Sequence, residues 1–213
     1  MSVVPDLAQR DAFATEFSVP RETMDALDRF VAFLLDEAQR QNLISASTIE
    51  GLWTRHVADS AQLLALAEDV EGSWLDLGSG AGFPGIIAAA MTTRPVLLIE
   101  SRAKRVEFLR AAAGIIGAAD RVTVHHGRAE TAPVSPVAVI SARAFAPLDR
   151  LLPIGERFAA LSTRWVLPKG RTADMELAAA RSAWQGDFRV VQSSTDPEAS
   201  IIVADRVERR KRR

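Results

Sequence analysis

The sequence predicts an α/β fold: a mostly parallel sheet of seven strands ending in an antiparallel hairpin, behind an N-terminal helical cap. Three observations predict it. Before about residue 70, apolar residues recur at helical spacing. From Ser73 onward, short apolar runs alternate with helical segments. The last two runs are separated by too few residues to hold a helix. Strands that alternate with helices form a doubly wound parallel sheet, because each crossover lays a helix on a sheet face.

The elements follow in order. Met24, Leu27, Phe30, Val31, Leu34 and Leu35 share one face of a helix that begins at Arg21. A second helix spans Leu52 to Leu66, and "NLISAS" (Asn42 to Ser47) separates the two. The strands are "SWLDLG", "PVLLIE", "RVTVHHG", "VAVISAR", "RWVLPKG", "FRVVQSS" and "SIIVADRV". Their near-continuous apolar character suits strands covered on both faces. Pro84–Met91, Ala103–Ile116, Pro147–Leu161 and Ala173–Trp184 read as the intervening helices, with a short link near Ala129. Only "STDPEA" lies between the final strands, so they pair antiparallel at the sheet edge.

Composition narrows the function classes. Of 213 residues, 48% are apolar and 25% charged, an ordinary soluble mix. No apolar run approaches the roughly 18 residues of a membrane helix, and "MSVVPDLAQRDAF" lacks the layout of a signal peptide. A cytoplasmic location is the expectation. There are no cysteines, which excludes disulfides, thiolate metal sites and cysteine nucleophiles together. The histidines, including His125 and His126, fall at no metal-ligand spacing with Asp or Glu, so no metal is expected. The net charge of −1 is unevenly spread. "RVERRKRR" at the C-terminus carries six cations and one anion, a net +5, against −6 for the rest. A basic tail on an acidic body suggests a polyanionic partner; the bland alternative is a solvated terminus.

"WLDLGSGAGFPG" (Trp74 to Gly85) carries the chemistry. "GAGFPG" satisfies G-x-G-x-x-G at Gly80, Gly82 and Gly85, between a strand and a helix, the context of a nucleotide-binding turn. Pro84 suits the first helical turn, where a missing N–H costs nothing. Glu100 ends the second strand, where an acid accepts hydrogen bonds from ribose hydroxyls. Asp76 then favours one cofactor over another. A dinucleotide brings its pyrophosphate to this helix N-terminus, and a carboxylate there repels it. S-adenosylmethionine brings a sulfonium and an ammonium, which a carboxylate attracts. An NAD-dependent oxidoreductase stays open as the second class, although no hydride-transfer site such as Tyr-x-x-x-Lys is evident in a chain without tyrosine.

These residues carry a resemblance. "LDLGSGAGFPG" resembles the first motif of the class I methyltransferases, which have a Rossmann-like sheet. The whole set is similar to the bacterial 16S ribosomal RNA guanine-N7 methyltransferases, the RsmG or GidB family. The set comprises "QNLIS…LWTRHVADS", "ESRAKRVEFLR", "GRAE", "ISARAFAPL" and "PKG". It extends over about Arg21 to Ala204. The resemblance implies S-adenosylmethionine as donor and N7 of a guanine in the 530 loop of 16S rRNA, at nucleotide 527, as acceptor. It implies cofactor contacts at Gly78, Phe83, Ala129, Glu130 and Arg143, added to Asp76, Gly80, Gly82 and Glu100 above. The division that follows is a cap over 1–70, an S-adenosylmethionine-binding methyltransferase domain over 71–205 and a basic tail over 206–213, in a chain expected to be monomeric. The tail is the departure from the family.

The acceptor side follows from chemistry. Guanine N7 already has a lone pair, so no proton need leave before attack and no residue is assigned as acid or base. Holding methyl and nitrogen in line can supply roughly 7–11 kcal/mol at best. Where exocyclic-amine methyltransferases have Asp/Asn-Pro-Pro-aromatic, this chain has "SARAFAP", which makes Arg143 and Phe145 the positioning candidates. An aromatic stacks on a base and an arginine meets phosphate or a base edge. His56, Arg143 and Lys169 are the candidate RNA contacts. A methyltransferase acting on another RNA or a small molecule is the nearest alternative.

Overall fold

The computed structural model describes residues 4–211. Two helices precede the sheet, α1 (Leu7–Glu16) and α2 (Arg21–Ala38). A π-helical turn, Trp53–Ala58, then runs directly into α3 (Asp59–Ala65). α1 was not expected from the sequence: only Phe13 of its ten residues is buried, so its apolar periodicity is faint. The π turn keeps Trp53, Val57 and Ala58 buried, and single π turns inside helices occur at functional sites.

The alternating half is β1 (Trp74–Leu77), α4 (Gly85–Met91), β2 (Val96–Glu100), α5 (Ala103–Ile115), β3 (Val122–His126), β4 (Val137–Ser141), α6 (Leu148–Gly155), β5 (Ala159–Lys169), α7 (Ala173–Ala180), β6 (Trp184–Gln192) and β7 (Ser200–Arg209). The strand order is β3-β2-β1-β4-β5-β7-β6. β1 to β5 pair in parallel, and β7 runs antiparallel between β5 and β6. The expected terminal hairpin is present, with its later strand on the inside.

Three boundaries move. The helix expected over Ala173–Trp184 ends at Ala180, and Trp184 opens β6. The helix expected over Pro147–Leu161 ends at Gly155, and β5 takes Ala159 onward. The chain is already back at the sheet there: the hydroxyl of Thr163 is buried and donates to the carbonyl of Val137 on β4. At the other end, β7 absorbs Arg206 to Arg209 of the basic tail, because they pair with β6 as far as Trp184.

Two apolar layers sandwich the sheet. One joins Leu27, Phe30 and Leu34 of α2 to Ile86 of α4 and Phe108 of α5, so the cap helices and the sheet share one core. The other packs Leu148, Leu151 and Leu152 of α6 under Trp165 of β5. β1, buried along its whole length, is central. Its C-terminal end and those of β2, β3, β4 and β5 all open on one rim, the edge of a doubly wound sheet where ligands bind.

Candidate active site

Gly78, Gly80 and Gly82 have φ of +70, +55 and +89, left-handed values that only glycine takes at low cost. A Cβ on Gly78 would run into the Phe145 ring, and one on Gly85 into Leu98 and Asp76. The third glycine of the motif thus serves packing of helix on strand. The Gly80 N–H donates to Glu100 Oε2 at 3.0 Å, and the Arg102 N–H to Oε1 at 2.8 Å. Arg105 Nη1 lies 4.0 Å from Oε2, while its Nη2 donates to the carbonyl of Asn42. Glu100, Arg102 and Arg105 line a cavity of about 280 Å³ together with Gly78, Ala129, Glu130 and Phe145, among others; Gly80 and Gly82 lie outside its lining. Ala129 is buried, with Arg157 donating to its carbonyl, and Glu130 is exposed at the rim.

Asp76 does not line that cavity. It is fully buried, Oδ2 accepting from the Gly85 N–H at 3.2 Å and Oδ1 from the Ser141 hydroxyl at 2.9 Å. Burial pushes its carboxyl up to about 6, against the hydrogen bonds from Ser141, Ser79 and Gly85. Its charge lies beneath the glycine loop and ties the N-terminus of α4 to β1 and β4. The Phe83 ring is buried, edge-on to Phe30 at 5.7 Å and stacked on His56 at 5.1 Å, and it lines neither this cavity nor the larger one beside it.

That larger cavity, about 890 Å³, lies beyond Phe145 and is lined by Asp59, Arg143, Phe145, Lys169, Thr195 and Ser200, among others. Ala144 and Phe145 border both spaces. Ala144 has φ +51, a left-handed conformation costing a non-glycine residue about 1–2 kcal/mol. It separates Arg143, directed at the cap, from Phe145, directed at Gly78.

Arg143 is held on three sides. Its Nη1 donates to Asp59 Oδ2 and to the carbonyl of Arg55, its Nη2 to His56 Nδ1 at 3.1 Å, and the guanidinium sits 5.1 Å over the Phe83 ring. Asp59 in turn accepts from Gln62 and from Thr195 of the β6–β7 loop. The cap therefore meets the terminal hairpin directly, through Asp59 and Gln62 of α3, and Arg143 ties the loop after β4 to the same Asp59. Asp59 was missed as a site residue, although it stands in the quoted "TRHVADS"; nothing local marks it as the partner of a residue 84 positions away.

His56 is half-buried against Arg143 and Phe83 and lines neither cavity. Since Nδ1 accepts from Arg143, Nε2 carries the proton and donates to Thr48 Oγ1 at 3.0 Å. Burial, then the charges of Arg143 and Arg55, push its pKa down to about 4. The sign follows. Between about pH 6.5 and 4 the unfolded chain takes up a proton that folded His56 refuses, so its contribution is complete above 6.5 and lost as pH falls toward 4. The whole shift is worth roughly 3 kcal/mol. Urea unfolding of wild type and His56→Gln across this range should show a steeper pH dependence in the wild type; equal slopes would remove His56 as the source.

The Lys169 side chain is 9% exposed, and its ammonium lies 2.9 Å from Glu176 Oε2 and 2.8 Å from the carbonyl of Ala146. It lines the larger cavity as a paired charge that holds the loop before α6. Glu176 also accepts from the Leu148 N–H at the start of α6 and from Thr172. Burial raises its pKa, but Lys169, Thr172 and the Leu148 N–H leave it below the usual carboxylate range. Among the described residues, no group of three or more His, Cys, Asp or Glu could hold a metal, and no helix is long and apolar enough to cross a membrane.

Residues 23–201 match the family described as rRNA small subunit methyltransferase G. The chain is 57% identical over 197 residues to the ribosomal RNA small subunit methyltransferase G of Rhizorhabdus wittichii, covering 92% of this chain and 91% of that one. It is 50% identical to the Sphingopyxis alaskensis protein of the same name, covering 92% and 84%. Among solved structures, an RNA methyltransferase from Salinibacter ruber in complex with S-adenosyl-L-homocysteine superposes with a TM-score of 0.56 at 24% identity, covering 72% of this chain and 94% of that one. An O-methyltransferase from Bacillus cereus does so with 0.60 at 16%, covering 92% and 96%. At these identities the superpositions speak for the fold, that of Rossmann-like class I methyltransferases.

Proposed function

Because this chain belongs to the rRNA small subunit methyltransferase G family, we propose that it transfers a methyl group from S-adenosylmethionine to 16S rRNA, at N7 of a guanine in the 530 loop. The observation that carries the reading is that two cavities of different character meet at one residue pair. The smaller holds Gly78 of the glycine turn and Glu100; the larger holds Arg143; Ala144 and Phe145 border both.

The smaller cavity fits the adenosyl end of the donor. Glu100 has about four lone-pair sites, and the N–H groups of Gly80 and Arg102 occupy two of them, with the Ser101 hydroxyl a distant third at 3.5 Å. A ribose hydroxyl has an acceptor left. Gly78 must lack a side chain for Phe145 to lie against the turn. Buried Ala129 lines the far wall and Glu130 the rim. S-adenosylmethionine supplies an electrophilic methyl on a sulfonium. The buried Asp76 carboxylate contributes negative charge beneath the turn without touching the ligand.

The residues then position the acceptor. Phe145, half-buried between the cavities, offers a face to an unstacked base. Arg143, fixed by Asp59 and His56, presents its remaining donors to the larger cavity. N7 has its lone pair ready, so the site needs no base, and the rate comes from alignment. Incubation of undermodified 30S subunits with labelled donor should place the label on one 530-loop guanine as 7-methylguanine. Label elsewhere in 16S rRNA, or none at saturation, would overturn the assignment. Thermal shift with S-adenosylhomocysteine and not NADH separates the donor from the dinucleotide alternative.

A further inference from the structure

One wall of the larger cavity is the β6–β7 loop, which contributes Ser193, Thr195, Asp196, Pro197, Glu198 and Ala199 to the lining. Gln62 of α3 holds this loop in place. Its Nε2 donates to the hydroxyls of Ser193 and Thr195 at 3.1 and 3.3 Å, and its Oε1 accepts from the Ser194 N–H at 2.9 Å. A wall clasped at both ends of one amide is ordered before a ligand arrives, so binding bears less of the ordering cost.

Four carboxylates line the cavity, Asp59, Glu176, Asp196 and Glu198. Three of them are matched by cations: Asp59 by Arg143, Glu176 by Lys169 and Glu198 by Arg171. Asp196 differs. Its Oδ1 accepts from the Glu198 N–H at 2.9 Å, which fixes the side chain within its own turn. Among the described residues no donor reaches its Oδ2 and no cation lies at ion-pair distance. Asp196 is therefore the lining acid with acceptor capacity left for a ligand.

Guanine presents what such a carboxylate takes. N1–H and the 2-amine stand side by side on its Watson–Crick edge, and an unstacked base is read on that edge. No other standard RNA base puts two donors together there. The amine is bonded to C2 and N7 to C5, para to one another across the six-membered ring. A guanine on Phe145 with N7 turned toward the smaller cavity therefore turns its amine into the larger one.

We propose that Asp196 is the specificity residue for the acceptor, its carboxylate accepting from N1–H and the 2-amine of the target guanine. This rests on the rRNA reading above. In the transfer, the N7 lone pair forms the bond to the methyl carbon and the carbon–sulfur pair returns to sulfur. The positive charge passes from the sulfonium into the purine, so N1–H and the amine become stronger donors. A fixed carboxylate across the ring holds them more tightly as that charge arrives. Asp196 thus acts on base selection and on rate together.

The test sets Asp196→Ala and Asp196→Asn beside the wild type on 30S subunits reconstituted with guanine or hypoxanthine at the target position. Hypoxanthine keeps N7, O6 and N1–H and lacks the amine. The wild type should methylate it with a kcat/KM about tenfold below that for guanine. Asp196→Ala should lose about 10- to 10²-fold on guanine and treat the two bases alike, with its S-adenosylhomocysteine affinity and urea midpoint unchanged. Asp196→Asn should not recover the guanine preference, because its amide turns a donor toward one of two donors. A guanine preference kept by Asp196→Ala, whatever its overall rate, would make Asp196 a structural residue of the loop and overturn the proposal. Equal rates on the two bases in the wild type would overturn it as well. Methylation of neither base by the wild type would refute the rRNA reading itself, and this assignment with it.

Discussion

Glu100→Ala is expected to weaken S-adenosylhomocysteine binding about 10²-fold. Two losses add. A ribose hydroxyl loses a charged acceptor, a hydrogen bond worth about 1.5–3 kcal/mol. The N–H groups of Gly80 and Arg102, 3.0 and 2.8 Å from the carboxylate, also lose the partner that fixes the turn before any ligand arrives. Glu100→Gln should fall between, because its amide keeps one acceptor oxygen but must turn a donor toward one of two N–H groups. Titration calorimetry reads the affinity, and urea unfolding checks that the chain still folds. An unchanged Kd would take Glu100 out of the donor site.

Arg143→Ala is expected to lower kcat on 30S subunits about 10²-fold while S-adenosylhomocysteine affinity changes little. A displacement of about 1 Å at a reacting pair costs this much, and Arg143 joins the cap, the fourth-strand loop and, through Asp59, the terminal hairpin. Arg143→Lys should not restore the rate. One ammonium cannot reach Asp59 and His56 together as the guanidinium fork does. Single-turnover methylation makes the measurement, since it isolates chemistry from product release. Full activity in either variant would place the acceptor elsewhere in the larger cavity.

The two variants probe residues whose types were readable but whose partners were not. Glu100 stood out because it ends an apolar run after a glycine turn, and both features are local. Arg143 stood out by its place in "SARAFAP". Asp59, which orients it, carries no mark in its own neighbourhood, since a helix presents many exposed acids of the same appearance. Lys169 shows the converse. A lysine at a strand end on the ligand rim reads as a free cation until Glu176, on the next helix, is seen to neutralise it. The burial of Asp76 was not readable, because it depends on whether Ser141 and the Gly85 N–H reach the carboxylate.

By itself the sequence determined the alternation of strands and helices, the glycine turn, the acid closing β2 and the antiparallel hairpin. Each is set by periodicity or backbone preference within a few residues, and such preferences act wherever the segment lies. The tertiary structure alone decided which charges are satisfied, which are available and how far apart they stand. It buried Asp76, paired Lys169, set His56 behind Arg143 and paired Arg209 with Trp184 at the far end of β7. Those outcomes depend on groups tens of residues away in the chain, and the energy of a charge is settled by the neighbours and the water around it.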